Sequence, residues 1–250
     1  MEYKHLKEIE KLLRTKETRD LIDNLTLNER KTNVENFKKL QEIIGVNNDV
    51  YSEFIYALLE TEPDILTYFD CIPDEMFSGM DWLDYCIIPK NIKSIGDGAF
   101  ENCTSLKHIF IEAPSMLNNI GDCAFLNCEQ LLEMNIPRGV QRIGDNAFEH
   151  CESMRFVKFN DLDCNLKTIG AQAFARCSNL CKMKLPKGLK TIEIWAFLGC
   201  ENLQEMILPE TVNMINGKIF IGCDKLVVKT KNPYVIDYCK ANDVKYVCIP

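Results

Sequence analysis

The stretch Ile95-Gly96-Asp97-Gly98-Ala99-Phe100-Glu101-Asn102-Cys103 gathers residue types used by phosphate loops, cation sites and nucleophiles. A phosphate loop needs several glycines so that backbone N–H groups can approach the anion. Here the third glycine of a dinucleotide loop is missing, and the second becomes Cys123, Asn146 and Gln172 in sister stretches. Asp97, Asp122 and Asp145 form a carboxylate series that a hard cation would suit; turn carboxylates of this kind are expected to be solvated. Thirteen cysteines raise disulfides or zinc. No pair has C-x₂-C spacing, however, and His5, His108 and His150 are scattered. Neither a G-x-S-x-G nor an H-E-x-x-H motif is present. The reading is therefore of no enzyme, no catalytic residue, no cofactor and no metal. The place left for a convergent catalytic site is the junction near Asp70 to Tyr85.

What these residues share is recurrence. Aligned on phenylalanine, the units centre on Phe77, Phe100, Phe125, Phe148, Phe174, Phe197 and Phe220, a period of 23 to 26 residues. Ile95-Gly96-Asp97 returns as Ile120-Gly121-Asp122 and Ile143-Gly144-Asp145, then loosens to Ile169-Gly170-Ala171, Ile192-Glu193 and Ile215-Asn216. Three residues after each phenylalanine comes Cys103, Cys128, Cys151, Cys177, Cys200 or Cys223, with Met80 in the weak first copy. Each unit continues as Leu106-x-x-Ile109-x-Ile111 or Leu131-x-x-Met134-x-Ile136-Pro137, and this period of two marks a short strand. A unit this small cannot bury its own apolar face, so copies must stack into a solenoid.

These repeats resemble the BspA-like, or Treponema pallidum-type, leucine-rich repeats over about residues 72–250. The resemblance implies an α+β chain whose main body is an arched leucine-rich-repeat β-solenoid of about seven repeats, with a parallel sheet along one side. In such a coil the Ala-Phe pair packs small beside large and stacks the rings. Glycine after the isoleucine is expected to ease a turn. The column cysteines are expected to be buried thiols bonded to backbone acceptors, since coils about 4.8 Å apart hold their Cβ vectors parallel, a poor disulfide geometry.

Residues 1–70 carry a different pattern, expected to be a small helical bundle or cap. Leu6, Ile9, Leu12 and Leu13 make one stripe. Thr26-Leu27-Asn28-Glu29 is a capping box before Val34, Phe37, Leu40, Ile43 and Ile44, with Gly45 as the stop. Asn48 is placed to cap a third helix through Tyr51, Phe54, Ile55 and Leu58, and Pro63 separates it from a short piece at Ile65 to Phe69. Its apolar faces either seal the first coil or form a partner-binding module. Residues 71–228 are the repeats, with the pattern falling off over Val227 to Thr230. Residues 229–250 are a cap: a helix after Asn232-Pro233, with Tyr234 and Tyr238 in capping contact, then a strand.

The net charge of −8 argues against a general nucleic-acid binder. The charged opening MEYKHLKEIEKLLR is unlike a secretory signal, Cys248 is misplaced for prenylation, and no apolar run reaches the roughly 18 residues of a membrane span. A cytoplasmic protein without membrane insertion is expected. Function is expected on the outward slots of the long strands, where the copies stop resembling each other. These give Lys107, His108 and Phe110, then Leu132, Glu133 and Asn135, then Arg155, Phe156 and Lys158, then Cys181, Lys182 and Lys184, then Gln204, Glu205 and Ile207. The partner-binding set is Lys107, His108, Phe110, Leu132, Arg155, Phe156, Lys158, Lys182 and Lys184, suited to a protein with an acidic surface. The function read from this is a non-enzymatic interaction scaffold that binds through the sheet face, with the N-terminal helices as a second surface, acting as an intracellular effector or inhibitor; a surface adhesin is the alternative.

Overall fold

Apolar columns in the repeat become buried rows, and a backbone ladder joins each coil to the next. The computed structural model describes residues 15–16, 20–21, 30–45, 49–61, 64–159 and 163–249. The Leu6–Leu13 stripe, the capping box at 26–29, the Asn48 cap and the Pro63 break lie outside the described residues. Among the described residues, helices α1 (Arg30–Ile44) and α2 (Asp49–Thr61) precede a 3₁₀ turn (Ile65–Tyr68). The strands are β1 (Cys71–Ile72), β2 (Tyr85–Ile88), β3 (Ser94–Ile95), β4 (His108–Ile111), β5 (Asn119–Ile120), β6 (Glu133–Ile136), β7 (Arg142–Ile143) and β8 (Phe156–Phe159). They continue with β9 (Thr168–Ile169), β10 (Lys182–Lys184), β11 (Thr191–Ile192), β12 (Glu205–Ile207), β13 (Met214–Ile215) and β14 (Val227–Thr230). Helix α3 (Pro233–Ala241) and β15 (Tyr246–Cys248) close the chain.

The odd-numbered strands from β1 to β13 stack as a seven-stranded parallel sheet, each only two residues long. On the other side run a two-stranded piece, β2-β4, and a six-stranded piece, β6-β8-β10-β12-β14-β15. This is the solenoid the repeat requires. Between the sheets lie seven stacked phenylalanines, with neighbouring centroids 4.9–5.8 Å apart.

The six column cysteines are free, and each thiol donates to the carbonyl of the phenylalanine one coil back, at 3.0–3.3 Å. Parallel stacking therefore uses sulfur as a small apolar filler with a donor, as expected.

Three features depart from the sequence reading. The aspartates are not simply solvated. Asp74, Asp97, Asp122 and Asp145 each accept, through Oδ1, the backbone N–H one coil on, at 2.8–3.0 Å. The glycine after the isoleucine serves close approach rather than a special turn. A Cβ at Gly121 would lie 2.5 Å from Asp97 Oδ1 and 2.7 Å from the Gly96 carbonyl carbon. The two slots are thereby coupled. Where the aspartate is replaced by Ala171 and Ile194, the following coil carries Glu193 and Asn216 instead of glycine. The second glycine of the G-x-G is a separate matter. Gly98 is left-handed at φ 60°, and Cys123, Asn146 and Gln172 hold the same corner at 54–55°.

The third departure is β14. Val227–Thr230 is a regular strand, in register with both β12 and β15. The pattern had seemed to fail because Leu226 is followed by its inward strand residue after two positions, at Val228, where Leu203 takes three to reach Met206.

Both ends of the ladder meet side chains that imitate a further coil. Within the array, N–H groups of one coil donate to carbonyls of the next, as from Phe77 to Ala99 and from Glu75 to Asp97. The corresponding carbonyls of the first coil are those of Asp74 and Met76. Gln41 on α1 donates to Asp74 at 2.9 Å, and the Tyr51 hydroxyl on α2 donates to Met76 at 2.9 Å. At the far end, the Tyr234 and Tyr238 hydroxyls accept from Ile215 and Ile219 N–H, each at 2.9 Å. Asn232 caps α3 by accepting from Tyr234 N–H, with Pro233 in the first turn. Helix α1 stops at Gly45, left-handed at φ 83°, and Ile43 turns out to be exposed.

Tyr51 is buried, and burial pushes its phenol up, which keeps it a donor. We expect Tyr51→Phe to cost about 1–3 kcal/mol, because the Met76 carbonyl is left without its partner. Urea denaturation monitored by circular dichroism measures this, and an unchanged midpoint would remove Tyr51 from the cap.

Candidate sheet-face binding surface

Alternation in the long strands sends one set of residues into the core and the other outward. In β2 the inward residues are Cys86 and Ile88, and Tyr85 and Ile87 point out. Strand register then places outward residues in two rows. Tyr85 lies beside His108 and Ile87 beside Phe110. Farther along, Glu133 lies beside Phe156, and Asn135 beside Lys158. Lys182 pairs with both Phe156 and Glu205, Lys184 with Ile207, and Ile207 with Lys229.

The nine residues of the expected set divide between strand positions and the residues just before them. Lys107, Leu132 and Arg155 precede their strands, and the other six are on β4, β8 and β10. His108 is half-buried, its ring 5.7 Å from that of Phe110. Phe110 and Phe156 are 54% and 47% exposed. Tyr85 and Ile87, at 55% and 49%, are absent from the expected set and complete its apolar end. Their signal was present in Leu83-x-x-Cys86-x-Ile88, the strand half of the weak first copy.

The cations do not act as one cluster. Lys158 reaches Glu133 at 2.6 Å and sits 6.0 Å from the Phe156 ring centroid, so its charge is answered within the face. Lys229 pairs with Glu205 at 2.8 Å and holds that carboxyl below its usual range, with Lys182 adding to the effect. Among the described residues Arg155, Lys182 and Lys184 have no ion pair.

The helix–solenoid junction contains a cavity of about 350 Å³ beside Val34, Lys38, Asp70, Cys71 and Lys93. Its thiol is poorly placed for attack. Burial, then the Asp70 and Asp74 carboxylates, push Cys71 up, whereas a nucleophilic cysteine needs a lowered pKa. The described residues include no group of three or more His, Cys, Asp or Glu able to hold a metal ion. No helix among them is long and apolar enough to cross a membrane.

With this geometry in place, the comparisons with known proteins are specific. The sequence matches the BspA type leucine rich repeat region in six copies, over residues 70–162 and 118–234. Among solved structures it is similar to a T. pallidum leucine rich repeat protein, at 32% identity and a TM-score of 0.56, covering 70% of this chain and 77% of that one. A leucine-rich repeat protein from Bacteroides ovatus ATCC 8483 is 26% identical with a TM-score of 0.46, covering 72% of this chain and 55% of that one. No curated protein matches the chain. Seven stacked coils, their phenylalanine and cysteine columns and the match across 70–234 lead to one conclusion: the chain belongs to the BspA type leucine-rich repeat family.

Proposed function

We propose that the chain is a non-enzymatic interaction scaffold that binds a protein with an acidic surface through the outward face of its long strands. The observation that carries this reading is the contrast between the two sides of each strand. Inward columns repeat from coil to coil, and the outward rows vary while exposing Tyr85, Ile87, Phe110 and Phe156. Contiguous exposed apolar surface with aromatic and basic residues is typical of interaction sites. Repeat proteins offer such extended surfaces because every coil adds one strip. The proposed compartment is the cytoplasm, supported by the six column cysteines, whose thiols donate to backbone carbonyls and fit a reducing environment.

The test is affinity capture from cells of the source organism with wild-type bait and two variants. Lys182→Glu with Lys184→Glu removes two cations that have no ion pair among the described residues. Phe110→Ser with Phe156→Ser removes the rings. Each double variant is expected to reduce recovery of the wild-type partner at least tenfold. Both should keep the wild-type circular dichroism, because surface substitutions ordinarily change stability by about 0.5 kcal/mol or less. Equal recovery by all three baits would overturn the proposal.

A further inference from the structure

The sheet face is polarised along the solenoid. Strands β2 and β4 present Tyr85, Ile87, His108 and Phe110, with no carboxylate, Lys or Arg among their outward residues, and the charges just before them, Asp84 and Lys107, are of opposite sign. From β6 to β14 the outward residues include Lys158, Lys182, Lys184 and Lys229 against Glu133 and Glu205, and Arg155 lies just before β8. Two of those cations are answered by the two carboxylates, as described above. What remains is a positive excess centred on Arg155, Lys182 and Lys184, on a chain of net charge −8. The distribution is therefore apolar at one end and cationic at the other.

Dimensions narrow the occupant. Outward residues on one strand are two positions apart, so the two rows are separated by about 7 Å. That strip is one extended chain wide. Along the solenoid, β4 and β10 are three coils apart; β6, β8 and β10 are paired and β4 and β6 are not, so the span is at least about 15 Å. An extended chain covers this with about four to five residues.

Resting on the scaffold reading above, we infer that the face takes a single extended peptide segment of its partner, lying across the strands. Apolar side chains of the segment cover Tyr85, Ile87 and Phe110. A run of carboxylates four to five residues away meets Lys182 and Lys184. The two ends contribute differently. The apolar end removes exposed surface from water and is insensitive to salt. The acidic end is a set of exposed ion pairs and is screened as ionic strength rises. A nucleic acid would meet the lysines but find Glu133 and Glu205 interleaved with them and no use for the aliphatic Ile87.

Fluorescein-labelled 12-residue synthetic peptides test this with the full chain. One pair carries a Leu/Phe block and a Glu block joined by a Ser-Gly spacer, in either order. A third has the same composition with apolar and acidic residues interleaved. Fluorescence anisotropy should show at least one block peptide binding tenfold or more tighter than the interleaved one. Lys182→Glu/Lys184→Glu and Ile87→Ser/Phe110→Ser should each weaken it at least tenfold. Added salt should weaken binding to wild type much more than to the lysine variant. Equal affinity for block and interleaved peptides overturns the inference, as does indifference to either double variant. Tighter binding of a 12-nucleotide single-stranded DNA through the same lysines overturns it in favour of nucleic acid. If no block peptide binds while cellular capture still depends on the face, the linear segment is wrong and the scaffold reading stands. If capture ignores the face as well, both fall.

Discussion

Between pH 8 and pH 10 the protein, kept reduced, should lose several kcal/mol of stability. Cys86, Cys103, Cys128, Cys151 and Cys177 are buried, and burial is the leading cause pushing each thiol up, Cys86 and Cys103 to about 12. In the unfolded chain the same thiols ionise near about 8.5 to 9. Below that range both states hold their protons, and the contribution of the thiols is complete. Above it the unfolded chain releases protons that the folded chain retains, so stability falls as pH rises, and keeps falling towards about 12. Each thiol costs about 1.4 kcal/mol per pH unit in this window. Five together approach the whole stability of an ordinary domain, about 5–15 kcal/mol, near pH 10. Urea midpoints at pH 7, 8, 9 and 10 measure the slope. Burial also raises Cys239, to about 11, and Cys200 is raised as well, so replacing Cys103, Cys128 and Cys151 by Ser, which keeps a donor for each carbonyl and removes their titration, should lower the slope by about a third to a half. An unchanged slope in that variant would place the alkaline sensitivity elsewhere.

The second large effect is expected from Phe148→Ala, a loss of about 3–5 kcal/mol. Phe148 is fully buried, with its ring 5.1 Å from that of Phe125 and 5.2 Å from that of Phe174. The cost of such a deletion depends on how far the surroundings can close over the gap. Here they are held apart. The N–H of Phe125 donates to Ala147 and that of Phe148 to Ala173, each at 2.8 Å, so coil spacing is set by the backbone and the rings cannot slide together. Phe220→Ala should cost at least about 1 kcal/mol less, because at the end of the stack its ring has a partner on one side only and lies 5.8 Å from Phe197. Denaturation of the two variants side by side decides this, and equal losses would mean the spine is not what resists collapse.

The stacking was legible in the sequence because it depends on columns. Phe100, Cys103 and Leu106 recur with their neighbours in one register, and period-two spacing from Leu106 to Ile111 reveals the strand. The thiol-to-carbonyl bonds followed from that burial. What stayed hidden depends on contacts between unlike positions. Asp97 looks like a surface carboxylate until the N–H of Asp122 is seen beside it, and Gly121 looks like a turn residue until the preceding aspartate is seen across from it. The strand at Val227 escaped because a single missing residue shifts the alternation. On the sheet face, the repeat slots located the outward positions of the long strands. The ion pair between Lys158 and Glu133 could not be located, since these residues are 25 apart in sequence and meet only through the register of β6 and β8.

The side chains at the two ends carry a consequence for how such a chain changes length. Gln41 and Tyr51 offer the first coil donors, and Tyr234 and Tyr238 offer the last coil acceptors, in place of the backbone groups of a further coil. In the interior, from β8 to β12, each long strand presents to its successor the ladder it received from its predecessor. A tandem duplication of one 23-residue unit, such as Gln172 to Ile194, would meet a matching partner above and below. Gene-level slippage can therefore lengthen the sheet face by one strand at a time from the middle, with the two end caps carried along unaltered.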